Sequence, residues 1–360
     1  MKNPVVLFLL QWIVLMVSYH LFMSDLQSVS LIFYLILIDL IGCMFLGQKL
    51  AELFPVHLPD FPKIVPVLYL YVFAFVILIY TLYSAYRMGA GFDSFLDFRD
   101  SLFYTDDDER GSIQIGISFP MVAAALFLSR IERRQLMSVF WAFGLFLLAV
   151  VSTSKMYLFL SVFFLLPKID DINFKKISSV VLVLILMFGL SHLILEKFSS
   201  DPEDGVLDAL FKTFQVYLLS GIGAFQLVLD GFTSLPEMRS LYGVKQIIPL
   251  NIFSDIRTNI YPFVALEDGW MTNVYTAIGP WWFDFGFLGV GVIGAGIGYF
   301  YTLLWTSRRN FSLYLFSFSV LPLFFTFFED YFLMSLKTWV AFIVVAFVVE
   351  FISVRKGVKC

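Results

Sequence analysis

Charge is what this chain has least of. Only 14% of its 360 residues are Asp, Glu, Lys or Arg, against roughly 25% in an ordinary soluble domain, so little of it is built to face water. Cysteine is nearly absent. Cys43 falls in an apolar stretch and Cys360 at the C-terminus, which leaves no disulfide framework and no Cys/His cluster with metal-ligand spacing. His20, His57 and His192 are scattered along the chain. No phosphate-cradling glycine loop or dinucleotide fingerprint occurs, so nothing calls for a nucleotide or any other cofactor. The net charge of −4 speaks against a nucleic-acid partner.

Apolar surface is what remains. Hydrophobic residues make up 60% of the chain, and 44 residues are Phe. Apolar runs of about 20 residues are what a hydrocarbon core of about 30 Å requires of a helix, and the alternation of a membrane β-strand does not appear. The expected fold is all-α, a polytopic helical bundle in lipid. Ten spans are expected, at 4–23, 28–46, 64–83, 112–129, 135–152, 154–167, 177–195, 283–305, 311–328 and 331–351.

Basic residues test this register, because short cytoplasmic loops are enriched in Lys and Arg. With Lys2 inside, Lys49, Lys63, Arg130, Arg133, Arg134, Lys168, Lys175, Lys176, Arg308, Arg309, Arg355, Lys356 and Lys359 all fall inside. The short loops of the other face hold Asp25, Lys155, Glu329 and Asp330. Both termini are then cytoplasmic, and the first span reads as a retained helix. Spans 135–152 and 154–167 are short, interrupted at Ser152-Thr153-Ser154-Lys155, where a snorkelling Lys155 relieves the mismatch.

Two segments break the short-loop pattern, 84–111 and 196–282, and both lie outside in this register. Within the second, 211–229 is apolar, but a crossing there would leave no return span before 283 and would turn Arg308 and Arg309 outward. It reads as an interfacial or re-entrant helix, ended by Asp230-Gly231. In the span 283–305, six glycines from Gly286 to Gly298 favour close helix approach.

The polar chemistry collects in the two long loops. All five outer arginines lie there: Arg87, Arg99, Arg110, Arg239 and Arg257. A guanidinium presents a fixed fork of donors that fits phosphate, so the set suits a lipid-borne phosphate or pyrophosphate. Lys245 and Tyr242 accompany Arg239. The run Asp106-Asp107-Asp108-Glu109 lacks the spaced ligands and Gly of a calcium loop and reads as a solvated face, so no metal is expected. Asp39, inside the second span, is open between a functional and a packing role. The most unusual stretch runs from Thr272 to Gly286. It includes Asn273, Tyr275, Trp281, Trp282 and Asp284 around a Gly279-Pro280 break just before a span. Aromatic rings at this depth anchor a helix at the interface and also stack on sugars. Asp284 at the lip of the bundle is a candidate general base or a helix N-terminal acid.

The layout and three local stretches resemble the Wzy-type oligosaccharide repeat-unit polymerases of O-antigen and capsule assembly. The stretches are Asp97-Phe98-Arg99, Tyr242-Gly243 with Ile248-Pro249, and Thr272 to Gly286. The resemblance implies a GT-C-like glycosyltransferase in the bacterial inner membrane, with the two long loops in the periplasm. It implies transfer of a glycan from undecaprenyl pyrophosphate to the non-reducing end of another lipid-linked unit, and a chain-length regulator protein as a partner. In such a reaction Arg99 and Arg257, helped by Arg87, Arg239 and Lys245, would hold the donor pyrophosphate. Asp284, or Glu267 and Asp268, would take the acceptor proton. Tyr242, Asn273, Tyr275, Trp281 and Trp282 would shape the glycan cleft. The alternatives are an O-antigen ligase-like glycosyltransferase, with the same donor and another acceptor, and a lipid-linked oligosaccharide transporter. A transporter is expected to show matched halves and charges near the midplane, whereas here the charges collect outside.

Overall fold

The computed structural model describes residues 3–23, 28–56, 61–89, 115–152, 205–235, 237–248, 262–266, 271–307 and 309–353, with positions 157, 159–161, 164, 182, 186 and 189 between them. The protein is an all-α polytopic membrane protein. Among the described residues five helices are long and apolar enough to cross a membrane, and two shorter apolar helices accompany them. The chain divides into two compact units.

The first unit comprises Met1–Leu58, Lys197–Arg308 and Ser319–Val340. Its opening helix α1 (Pro4–Phe22) starts where it does for local reasons. Asn3 caps it by accepting from the Val5 N–H at 2.9 Å, and Pro4 occupies the first turn, where a missing N–H costs nothing. Val5, Phe8, Trp12, Leu15 and Tyr19 form its buried stripe, while Leu10, Ile13, Val14, Val17 and Leu21 are exposed. A helix apolar on its outward face as well as its inward one belongs in lipid.

Among the described residues, helix α2 (Leu31–Leu53) packs against the long helix α8 (Ile278–Thr306) more extensively than any other helix pair does. Glycine makes this possible. A Cβ on Gly298 would stand 2.0 Å from the Met44 carbonyl oxygen, and one on Gly47 would stand 1.9 Å from that of Ala295. The two backbones therefore touch directly, as small residues permit where helix association relies on van der Waals contact.

Between them in sequence lies α6 (Val206–Leu229), which begins before the expected 211 and ends as anticipated at Asp230-Gly231. Gly231 takes a left-handed φ of 76°. The Phe232 N–H reaches the Leu227 oxygen at 3.0 Å and the Gly231 N–H reaches that of Val228 at 3.1 Å, the paired bonds of a Schellman stop. A 3₁₀ turn (Arg239–Leu241), the short helix α7 (Tyr242–Ile247) and a two-residue antiparallel pair, β2 (Val264–Ala265) with β3 (Met271–Thr272), complete the connection.

The second unit comprises Pro59–Glu196, Arg309–Phe318 and Ala341–Cys360. Helices α3 (Val67–Gly89), α4 (Ile115–Ile131) and α5 (Gln135–Val151) pack on one another, with Gly144 of α5 against Leu78 of α3. Thr81 and Ser118 hydroxyls bond at 2.6 Å inside this cluster. One charged cluster in this unit forms around Glu350 near the end of α10 (Leu336–Phe351). One carboxylate oxygen accepts from Arg309 Nη2 at 3.0 Å, and the other accepts the Phe311 N–H at 3.0 Å at the start of α9 (Asn310–Phe324). Lys63 donates to the Glu350 carbonyl at 2.7 Å. Beside it the chain pairs β1 (Val65–Pro66) in parallel with β4 (Ile352–Ser353).

Several span ends move from their expected places: α2 runs on to Leu53 rather than stopping at 46, α9 stops at Phe324 rather than 328, and three others shift for identifiable reasons. Helix α3 continues to Gly89 rather than stopping at 83, since nothing before Gly89 breaks a helix and Arg87 in the last turn suits its dipole. Helix α8 begins at Ile278 rather than 283. Gly279 and Pro280 sit inside its first turn, where proline is tolerated, and the break comes instead at Gly286, with φ 63° and ψ −164°. Helix α10 begins at Leu336 rather than 331, because Asp330 holds the preceding residues in a turn. Spans 154–167 and 177–195 lie largely outside the described residues.

Replacing Gly298 by Leu should destabilise the protein by about 1–3 kcal/mol or more through overpacking. Gly296→Ala, where a Cβ meets nothing within 4 Å, should stay within about 0.5 kcal/mol. Thermal unfolding in detergent checks both, and equal losses would contradict the glycine contact.

Candidate functional site

Arg239 is wholly buried, and a guanidinium out of water must meet opposite charge. It is carried on the 3₁₀ turn after α6, following Met238 in a left-handed conformation with φ 54°. Gly243 in the next helix permits the turn to press against residues 333–336, since a Cβ there would lie 2.0 Å from the Leu333 oxygen. The Asp284 carboxylate accepts the Ser240 N–H at 2.8 Å, fixing the turn to α8. Among the described acids Glu329 feels the Arg239 charge, which favours its ionised carboxylate electrostatically.

Glu329 and Asp330 lie in the turn between α9 and α10, after a 3₁₀ turn (Phe325–Phe327). Asp330 is 1% exposed and fully engaged. One oxygen takes the Trp281 Nε1–H at 2.8 Å, and the other takes the N–H groups of Phe332 and Leu333 at 2.9 and 3.0 Å. Burial nevertheless pushes its pKa up to about 6, the hydrogen bonds opposing it. Glu329 is only half-buried by exposure, yet its carboxyl is set in a desolvated surround that pushes it up to about 7. Asp330 adds to the rise, while Arg239 and a hydrogen bond with Tyr331 counter it.

Helix α6 supplies the remaining wall. Gly221 lets it approach the Phe327 oxygen and the Thr276 nitrogen, 2.7 and 3.3 Å from the position of a Cβ. Tyr217 stacks on Phe328 with centroids 5.6 Å apart. The Ala277 N–H reaches the Thr326 oxygen at 2.7 Å, tying the start of α8 to the acid-bearing turn. Tyr275 is buried, donates to the Pro262 oxygen at 3.2 Å, and is pushed up to about 12 by burial, with Arg239 opposing.

The sequence-predicted residues therefore divide. Arg239, Tyr242 and Lys245 share one turn and helix. Asp284 is bonded to that turn, and Tyr275 feels the Arg239 charge. Trp281 is 0% exposed and packs on Phe332, with centroids 6.1 Å apart, so it supports the acid turn from behind. Trp282 is half-buried beside Phe225, and Asn273 is half-buried between β3 and α8. Arg87 is exposed in the last turn of α3. Arg99, Arg257, Glu267 and Asp268 lie outside the described residues, and Asp106–Glu109 does as well. Among the described residues no group of His, Cys, Asp and Glu could hold a metal ion.

Glu329 and Asp330 were missed as site residues. In the chain they read as two acids in a short outer loop. The available signal was their setting, a pair of carboxylates between Phe324-Phe325 and Tyr331-Phe332 with no basic neighbour in sequence.

The chain is similar to an O-antigen polymerase of Shigella dysenteriae, 36% identical over 227 residues. The match covers 62% of this chain and 58% of that protein, so it spans little more than half the relative's length. No protein-family model matches the chain. No solved structure matches it either.

Both acids are harder to ionise in the folded protein than unfolded, so the folded state is favoured while they are protonated. Stability should fall as pH rises from 3.8, the ordinary value for Asp330, through about 6, and from 4.5 through about 7 for Glu329. Melting in detergent across this range should show that fall, and Glu329→Gln should flatten its upper part. An unchanged profile in the variant would contradict the placement of Glu329.

Proposed function

We propose that this protein polymerises undecaprenyl-pyrophosphate-linked oligosaccharide repeat units at the periplasmic face of the bacterial inner membrane. The growing glycan leaves its lipid pyrophosphate and joins the non-reducing end of an incoming lipid-linked unit. The observation that carries the reading is the 36% identity, over 227 residues, to a protein named O-antigen polymerase. Three features support it: a multi-pass apolar chain, the lack of any nucleotide motif in its sequence, and a buried Arg239 whose charge acts on Glu329. The activated bond is already present in the lipid pyrophosphate, so a GT-C-like enzyme of this type needs positioning and charge stabilisation rather than a cofactor.

In this reading Arg99 and Arg257 bind the donor pyrophosphate and stabilise its departing charge, with Arg87, Arg239 and Lys245 adding positive potential. Tyr242, Asn273 and Trp282 contact glycan, while Tyr275 and Trp281 hold the wall behind them. The orientation puts both termini in the cytoplasm and segments 84–111 and 196–282 in the periplasm. A chain-length regulator protein is the expected partner.

A strain lacking only this protein should show a lipopolysaccharide ladder collapsed to core plus one repeat unit. Loss of the ladder with free lipid-linked polymer would favour a ligase, and an unchanged ladder would sink the reading. In complementation at matched expression, Arg99→Ala and Arg257→Ala should each cut long-chain polymer at least about tenfold. Lysine at either position should not restore it fully, because an ammonium cannot reproduce the bidentate fork.

A further inference from the structure

The first unit contains four described acids around the Arg239 turn: Glu237, which is exposed and acts on Asp284, then Asp284, Glu329 and Asp330, and their surroundings set the last three apart. Asp284 is committed to the Ser240 N–H at 2.8 Å and sits within α8, two residues before the Gly286 break. Asp330 has both oxygens occupied by three donors and is almost wholly buried. Asp330 cannot take a further proton without losing a structural bond, and protonating Asp284 would weaken the bond that fixes the Arg239 turn to α8. Glu329 differs. It adjoins Asp330 in a turn fixed from both sides, remains partly open to the surface, and is held by the Tyr331 side chain while feeling the Arg239 charge.

We propose that the Glu329 carboxylate is the general base that takes the proton of the attacking sugar hydroxyl. This rests on the polymerase reading given above and replaces Asp284 in the role first considered for it. As the hydroxyl oxygen bonds to the anomeric carbon of the donor, its proton passes to a Glu329 oxygen. The bond from that carbon to the pyrophosphate oxygen breaks, and the electron pair leaves with the lipid pyrophosphate. The Arg239 charge keeps the carboxylate available for this step, and the chain then returns the proton to solvent through the open side. Among the described residues the ionisable groups acting on Glu329 are Arg239 from the 3₁₀ turn and Asp330 and Tyr331 from its own turn, with Tyr217 of α6 acting on Tyr331. A base that titrates near 7 is matched to neutral conditions.

The experiment uses the full-length protein in lipid nanodiscs, with a purified undecaprenyl-pyrophosphate-linked repeat unit as both donor and acceptor, and reads kcat and KM against pH. For the wild type, kcat should rise with pH to a plateau through about 7. Glu329→Gln should lower kcat by about 10²- to 10⁴-fold, with KM within about threefold and folding retained. Glu329→Asp should keep part of the rate with a displaced limb. A Glu329→Gln protein within about threefold of the wild-type kcat overturns the assignment. Should that variant fail to accumulate, Glu329→Asp decides. A kcat loss of at least about tenfold with a moved limb supports the base, and a wild-type rate with an unmoved limb overturns it. A wild-type protein that elongates nothing overturns the polymerase reading itself, a result distinct from an active wild type with an equally active Glu329→Gln.

Discussion

The candidate site depends on the lock around Asp330. A carboxylate this deeply buried persists only if its acceptors are used, and here the indole of Trp281 and two backbone N–H groups use them. The consequences run outward. The two backbone bonds keep residues 331–335 in a turn and delay the start of α10 to Leu336. The indole bond ties that turn to α8, whose first residues are tied to it again through Ala277 and Thr326. Glu329, one residue before the lock, has its position set by it, and the Arg239 turn rests against residues 333–336 only because Gly243 has no side chain. A fully bonded acid thus serves as scaffold for a partly bonded one.

The constraint imposed by lipid explains the rest of the architecture. Backbone polar groups must be satisfied within each spanning segment, so the apolar stretches become helices, and the β pairs among the described residues are two residues long. With apolar side chains on every face, burial alone cannot choose partners. Glycine contacts select the α2–α8 pair, and the Glu350 cluster organises the second unit with charge. Both devices work through geometry rather than through the amount of apolar area covered.

Hydropathy made the helices legible, because a run of about 20 apolar residues has few other uses. The Asp230-Gly231 stop was legible too, since glycine at that offset can take the left-handed conformation at no steric cost. Gly279-Pro280 misled for a physical reason: proline ends a helix from within but is welcome in its first turn. The electrostatic link of Arg239 to Glu329, and the bond of Trp281 to Asp330, were not legible. Each joins residues far apart in sequence, and the aromatic setting of the two acids marks the pair without showing what either meets. Arg239 itself was legible as one of five outer arginines, though its burial was not.

The most direct test of the proposed activity is reconstitution from two components. Purified protein in a bilayer is given only a single-unit glycan on undecaprenyl pyrophosphate, without nucleotide sugars or ATP, and the lipid-linked products are sized while released undecaprenyl pyrophosphate is counted. The polymerase reading predicts lipid-linked chains of two and more units, with one undecaprenyl pyrophosphate released for each bond formed. Substrate that stays a single unit, or that crosses the bilayer without any new glycosidic bond, would contradict it.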